Sequence, residues 1–520
     1  MAVVSRHRAG FAVGRTAVTA VCVFALSVAA LTILRGDAPA PVLTPAEAES
    51  AALDSPQVRA ALAGGYTRVR TMPLDGEAVR VSFFDGARAA AEAAVGGDGR
   101  VDAVIEHDGL HARFGSDVGQ RPVVLAALVA LFLLATLRLP LLRRENLDAL
   151  ALAALSVPIV LVNERYLEWS VLAAAGLLAF LGRRCLRVAA GEHAAGGWLI
   201  DSLPRRARIL LAAGTAGVLV LLSIPGGLVS DVAYASMAGA TQILDGNLPY
   251  GNVPTDGLVH GDTYPLLAYL AYVPAALVDP VRSGFDELDG ALWVATAFTL
   301  AAALALALAR AGGARLAIAL LAFPPVMVAA SSGSNDAVTA ALVAGAVALP
   351  TSSAMTAAGW VKLAPLAALP LWLAHGRRRS VLAAAGVTGA LGAAVLALGG
   401  PAGFADMARA LSFQSERGSP MSVWALIDLP AAQIAFQALV VTGLAVAALQ
   451  VWRDRGLAAD PGRMAALAAA ALIGVQLAAN HWSPTYLAWL FPLLAVALLG
   501  GASTPSRPRA RASSRPASAR

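Results

Sequence analysis

A single lysine stands against 38 arginines in this chain, and it lies inside an apolar stretch at position 362. An ionisable group within membrane-like sequence is costly and marks a functional site by default. Its compact ammonium suits a fixed cation that receives a phosphate. The structural alternative is a side chain that snorkels to an interface. Asp231 directly follows an apolar run, which puts its carboxylate at interface depth. It reads as a general base beside an apolar wall that tunes its basicity, or as a helix cap in water. Asn335-Asp336 opens another apolar run and reads as a cap or as a functional pair. Glu416-Arg417, in a polar loop, offers a phosphate or sugar contact or a solvated ion pair. His481-Trp482 precedes Pro484 and reads as a site pair or an interfacial aromatic anchor. Asp245, in Leu244-Asp245-Gly246-Asn247, reads as a turn residue. Asp256, His260 and Asp262 are of metal-ligand type, but their spacing fits no ligand pattern, so no metal or cofactor is expected.

These residues are set in a chain unlike a soluble one. Of 520 residues, 58% are hydrophobic and 14% charged, and the mean hydropathy is +0.68. A soluble chain carries about 25% charged residues. Apolar runs long enough to cross a bilayer as helix recur along most of the length. The net charge of +6 is concentrated in the tail from Ala502, which carries Arg507, Arg509, Arg511, Arg515 and Arg520 and no acid. The basic balance therefore reflects a tail, and nucleic acid is not an expected partner. Cys22 and Cys185 supply no disulfide framework.

The expected architecture is an all-α polytopic membrane protein with about 14 membrane segments and a small extracytoplasmic α+β insert near the N-terminus. Residues 1–35 form an N-terminal anchor whose apolar run, about 16–34, is longer than a signal peptide's; Ala38-Pro39-Ala40 would be a weak cleavage site. Residues 36–120 are polar and Gly-rich. Thr44-Pro45-Ala46-Glu47 has the form of a capping box, and Ser55-Pro56 starts a second helix stopped by Gly64-Gly65. Val79–Phe84 and Arg100–Glu106 have strand character, with an Ala-rich helix expected between them. This insert is expected to bind an acceptor or partner, or to position the rest, without being catalytic. Residues 121–207 add three spans, at 122–139, 147–162 and 167–182, and an Arg-rich cytoplasmic loop. Residues 208–501 hold the remaining segments, and 502–520 form a disordered basic tail.

The arginines orient the set, since short cytoplasmic loops collect them. Arg138, Arg143 and Arg144, and the group from Arg183 to Arg208, lie inside. The span 209–229 then points outward and delivers Ser230-Asp231 to the outer face. The run 264–278 is short and interrupted by Pro265 and Pro274, so it is expected to be interfacial. With 290–309, 316–331 and 336–350 crossing, 354–375 must begin and end inside, as two half-helices meeting near Lys362. Spans 380–400, 431–451, 464–480 and 484–500 complete the chain. The outer face thereby receives the loops 230–263 and 400–430, Asn335-Asp336, Lys362 and His481, with four of the six asparagines.

From about Arg208 to Gly500 the sequence resembles the GT-C superfamily of integral-membrane glycosyltransferases, and most of all glycosyltransferase family 87, which uses polyprenyl-phosphate-mannose. Four patches carry the resemblance. The first runs from Ser230-Asp231-Val232-Ala233-Tyr234 through Leu244–Tyr250 to Thr263-Tyr264-Pro265-Leu266. The others are Gly333-Ser334-Asn335-Asp336, Ala358–Pro365 around Lys362, and Trp482–Pro492. The resemblance implies that Asp231 matches the family's acidic base and Lys362 its lysine near the donor phosphate. It adds Tyr264 and Asn335 as donor-binding candidates. Gly333-Ser334 stands where the family commonly has Gly-Gln, and about 207 residues precede the matching part.

The expected activity is extracytoplasmic transfer of a mannose-like or arabinose-like sugar from a polyprenyl-phosphate donor to a cell-envelope glycan or glycolipid. Transfer is expected to invert, with Asp231 as base and Lys362, Arg417 and His481 on the departing phosphate. Nucleotide sugars are absent outside the cell, and a phosphate ester leaves without a strong acid. The expected location is the plasma (inner) membrane, with the site on its outer face. The alternatives are a transporter or lipid flippase, which paired broken helices in inverted repeats would favour, and an anchor whose exported domain does the work.

Overall fold

The computed structural model describes residues 43–73, 78–106, 122–192, 197–223, 230–253, 261–282, 288–309, 313–416, 421–427 and 429–500. The expected anchor at 16–34, the basic tail, Asp256, His260, Arg310 and Arg417 lie outside them.

Residues 43–106 form two helices on a four-stranded antiparallel meander. The helix Pro45–Asp54 opens on a complete capping box: the Thr44 Oγ accepts the Glu47 N–H, and the Glu47 carboxylate accepts the Thr44 N–H at 2.7 Å. A second helix, Pro56–Ala61, follows Ser55. The strands are β1 (Arg68–Pro73), β2 (Val79–Asp85), β3 (Arg88–Val95) and β4 (Val101–Glu106), in the order β1-β2-β3-β4.

The expected Ala-rich helix between the strand segments is β3, a correction with a packing reason. Ala91, Ala93 and Val95 alternate onto the face that packs against Ala48, Ala52 and Val58, beside Val79, Val81 and Phe83. Small side chains there let the helices lie close to the sheet. Pairing on both edges overrides alanine's helix preference. The segment of β1 carries no expected element, yet it closes the sheet by pairing with β2.

This unit is joined to the helical part by several kinds of contact. The Ala89 N–H donates to the Arg165 carbonyl at 2.9 Å, and Arg68 pairs with Glu168 at 2.8 Å. Phe84 and Ala89 pack with Val162 and Leu167, against Met421. The ion pair is part-exposed and worth little; the buried apolar contact supplies most of the attachment.

Five helical stretches among the described residues are long and apolar enough to cross a membrane: Asn146–Asn163, Asp289–Leu308, Ala364–Gly399, Pro430–Arg453 and Pro461–Ala478. A bent pair raises the number to six. Several expected elements differ. The run 316–331 is not straight: Ala314–Ala322 and Pro324–Ser331 meet at 64°, because Pro324 and Pro325 lack the N–H groups a continuous helix needs. The expected loops 230–263 and 400–430 contain the helices Asp231–Leu244 and Ala402–Glu416. Residues 352–399 double back. Ser352–Gly359 runs to a turn at Lys362, a 3-10 segment Ala364–Ala368 follows, and Leu369–Gly399 breaks at Arg377, whose φ is 50°. The Ser352 Oγ donates to the Ser380 carbonyl at 2.7 Å, bringing the start of the first arm to this break.

The helix Leu487–Leu499 is buried on every side, as its all-round apolar sequence requires. Phe491 stacks on Phe323 at 4.3 Å between ring centroids, and Phe132 packs against both. At its C-terminal end two guanidiniums lie over the Trp198 ring, Arg138 at 3.8 Å and Arg315 at 3.5 Å from its centroid. They donate to the carbonyls of Leu498 and Gly500, where cations complement the helix dipole.

Candidate functional site

Polar residues gather where four segments meet, at the N-terminal ends of the helices Asp231–Leu244 and Asp336–Ala348. Ser230 caps the first: its Oγ accepts the Ala233 N–H at 3.2 Å. Its own N–H and Oγ both donate to the Ser332 carbonyl, at 2.9 and 3.1 Å. Asp231 is the first helical residue. Its carboxylate is exposed and accepts the Val232 N–H at 2.8 Å. The sequence between two apolar runs thus begins a helix at Asp231 and ties that start to the segment before Asp336.

Gly333 makes the tie possible. Its φ is +68°, and an added Cβ would lie 2.9 Å from the Ala233 Cβ and 3.0 Å from that of Ala291. Its carbonyl accepts the Tyr272 hydroxyl at 2.8 Å. Glycine is needed here both for the backbone conformation and for the space.

Asp336 and Lys362 form a buried ion pair, with Nζ 2.7 Å from Oδ1. The Ser334 hydroxyl donates to the other carboxylate oxygen at 2.7 Å. The Lys362 Nζ also lies 4.7 Å from the Tyr486 ring centroid and 5.7 Å from that of Tyr264. Tyr486 in turn meets the His481 ring edge-on at 6.0 Å. Burying two charges is costly unless geometry and hydrogen bonds are good; here both carboxylate oxygens are engaged and two ring faces flank the ammonium.

Of the residues expected from sequence, Lys362 and Tyr264 are therefore in contact, and His481 joins them through Tyr486. Asn335 is fully buried beside Asp336, and neither end of its amide has a hydrogen-bond partner. Asp231 lies at the same end through the Ser230–Ser332 bonds, with no described contact to Lys362. Trp482 is buried and donates to the Gln476 side chain at 3.2 Å, so it is not an exposed interfacial anchor. Asp336, which the sequence offers as a cap or as half of a functional pair, is the partner of Lys362, and Tyr486 is a member the sequence does not single out. A lone lysine in apolar sequence demands a counter-charge, and Asp336, opening an apolar run, was the available signal.

Two further described acids, Asp245 and Asp262, make local contacts. Asp245 follows the helix end and pairs with Arg282 at 2.8 Å, which holds that guanidinium's pKa above its ordinary value. Asp262 accepts the Gly251 N–H at 2.8 Å. Beside it, burial pushes the Tyr250 phenol above its usual range, so it stays protonated and donates to the Tyr264 carbonyl. The Gln414 amide donates to the Thr263 carbonyl at 3.1 Å, linking the helix Ala402–Glu416 to the residue before Tyr264.

Tyr269 anchors this region, its hydroxyl bonding Gly261 and the Tyr264 N–H, while its ring lies against Gly239. An added Cβ at Gly239 would sit 2.2 Å from the Tyr269 ring. Gly239→Ala is expected to cost about 1–3 kcal/mol by overpacking. Thermal unfolding of the purified variant measures this, and an unchanged midpoint would show that the ring gives way freely.

The sequence model of glycosyltransferase family 87 matches residues 263–479. The matched range includes Tyr264, Asn335, Asp336, Lys362 and Arg417; Asp231 precedes it and His481 follows it. No curated protein and no solved structure matches the chain.

Proposed function

From the premise that the chain belongs to glycosyltransferase family 87 and is a membrane glycosyltransferase, we propose that it transfers a mannose-like or arabinose-like sugar from a polyprenyl-phosphate donor to an envelope glycan or glycolipid on the extracytoplasmic face. The observation that carries this reading is the meeting of the Asp231 helix start, the Ser332–Asp336 segment, Lys362, Tyr264 and Tyr486 at one end of the bundle. A membrane-embedded site with a carboxylate at its exposed margin and a cation inside suits a lipid-borne phosphate and a water-borne acceptor.

In the proposed reaction Asp231 takes the proton of the acceptor hydroxyl. That oxygen attacks the anomeric carbon from the face opposite the phosphate. The carbon–oxygen bond to phosphate breaks as the new glycosidic bond forms, and polyprenyl phosphate leaves with the bonding electrons. Lys362 receives the charge that develops on the phosphate, with Arg417 and His481 assisting. Tyr264 and Asn335 line the donor, and the β-sheet unit positions the helical part or holds an acceptor. The plasma membrane is the proposed location.

Supplying the purified protein with a panel of polyprenyl-phosphate sugars tests the donor class. Transfer with release of free polyprenyl phosphate is expected, and use of a nucleotide sugar alone would overturn it. Cysteine labelling tests the face. In a background without Cys22 and Cys185, cysteines at Asn247 and Ala408 are expected to react with an impermeant maleimide on intact cells. One at Arg455 is expected to react only after permeabilisation. All three positions are exposed, and the reverse pattern would put the site on the cytoplasmic side.

A further inference from the structure

The Lys362 ammonium is restrained more tightly than charge neutralisation requires. Asp336 Oδ1 lies 2.7 Å from Nζ, while Oδ2 accepts the Ser334 hydroxyl at 2.7 Å. The Ser334 Oγ in turn accepts the Asp336 N–H at 3.2 Å. One carboxylate oxygen is held by a hydrogen bond and the other by the ion pair. Asp336 is fully buried, and it begins the helix Asp336–Ala348, whose first turn favours a negative charge. Lys362 lies on a different arm, at the turn after Ser352–Gly359, where its own N–H bonds the Ala358 carbonyl at 3.0 Å. Both ends of the pair are therefore fixed by backbone.

The ammonium is paired with Asp336 Oδ1 by charge and proximity, and that oxygen accepts no hydrogen bond among the described residues. With the ring faces of Tyr486 and Tyr264 at 4.7 and 5.7 Å, the ammonium is bounded on three sides. We infer that Asp336 is a positioning residue for sugar transfer, holding the Lys362 ammonium where charge develops on the departing phosphate. This rests on the proposed role of Lys362 as the phosphate's cation. A cation already placed at developing charge needs no reorganisation during reaction, and a displacement of about 1 Å in such a site can cost about 10²-fold in rate. A merely neutralising carboxylate would serve equally from a slightly different place. A positioning one would not.

The test uses the full chain in nanodiscs with polyprenyl-phosphate mannose as probe. Asp336→Glu keeps the charge and moves it by one methylene. It is expected to lower the unfolding midpoint, since a methylene is added at a fully buried site, and to keep donor affinity near wild type while kcat falls about 10²-fold. The exchange Asp336→Lys with Lys362→Asp keeps a pair but reverses it; it is expected to fold and to give no transfer, and it decides the matter if the longer glutamate does not fit. Wild-type kcat in the glutamate variant, or transfer restored by the exchange, would make the pair purely structural and overturn the inference. Asp336→Asn with Lys362→Met removes both charges at nearly constant shape. Wild-type donor affinity there would remove Lys362 from the donor site and the underlying reading with it. Lost donor affinity there, together with wild-type kcat in the glutamate variant, would keep that reading and overturn the positioning role alone.

Discussion

Asp231→Asn is expected to lower kcat by about 10²- to 10⁴-fold, the usual contribution of a general base. Asparagine keeps the size and polarity of the side chain but cannot accept the acceptor's proton. The residue is exposed at the start of its helix, and the cap is formed by Ser230, not by Asp231. Folding should therefore survive the change, as should donor binding. Asp245→Asn and Asp262→Asn are the controls. The first weakens a surface pair with Arg282, and the second touches a single backbone contact to Gly251. Each is expected to retain most of the turnover. Were Asp231→Asn to keep near-normal turnover while one of the others abolished it, the base would move to that acid. Full activity in all three would remove general-base catalysis by this segment.

Lys362→Ala has the second large effect, on two quantities at once. It strips a buried carboxylate of its counter-ion, and breaking one side of a buried pair costs about 3–5 kcal/mol. It also removes the cation assigned to the donor phosphate, so donor affinity and transfer should fall together. Adding Asp336→Asn separates the two, because it removes the stranded charge. Thermal stability should recover in the double variant while donor binding stays lost. Lys362→Arg keeps charge, but its planar fork does not reproduce a point charge between Tyr264 and Tyr486, so only part of the function is expected. Unchanged donor binding in Lys362→Ala would leave the lysine a purely structural role.

The candidate site was legible in sequence where composition was extreme. One lysine in apolar sequence identified Lys362, and interruption by Pro265 and Pro274 marked the short helices Leu266–Leu270 and Val273–Ala276. The partner of Lys362 was not legible. An acid opening an apolar run looks like a cap, and only the return of the chain after Ser352–Gly359 brings Asp336 and Lys362 together. The helix at Asp231 lies in a stretch between apolar runs that carries turn residues further on, at Asp245-Gly246-Asn247, and reads from sequence as part of a loop. Its burial comes from the tertiary packing of Tyr234, Met237 and Ala238 with Tyr272 and Ala276. The strand β3 was read as helix because alanine prefers helices locally; its two neighbouring strands decide otherwise. The bend at Phe323 follows from Pro324-Pro325, which interrupt the apolar run 316–331 from within.

The most direct measurement of the central claim is the anomeric configuration of the product, followed by NMR as purified protein consumes a polyprenyl-phosphate sugar of known anomer. Single displacement with Asp231 as base requires an inverted product from the wild type, one polyprenyl phosphate released per sugar transferred, and transfer reduced at least about 10²-fold in Asp231→Asn. Retained configuration, or a sugar captured covalently on Asp231, would contradict the account.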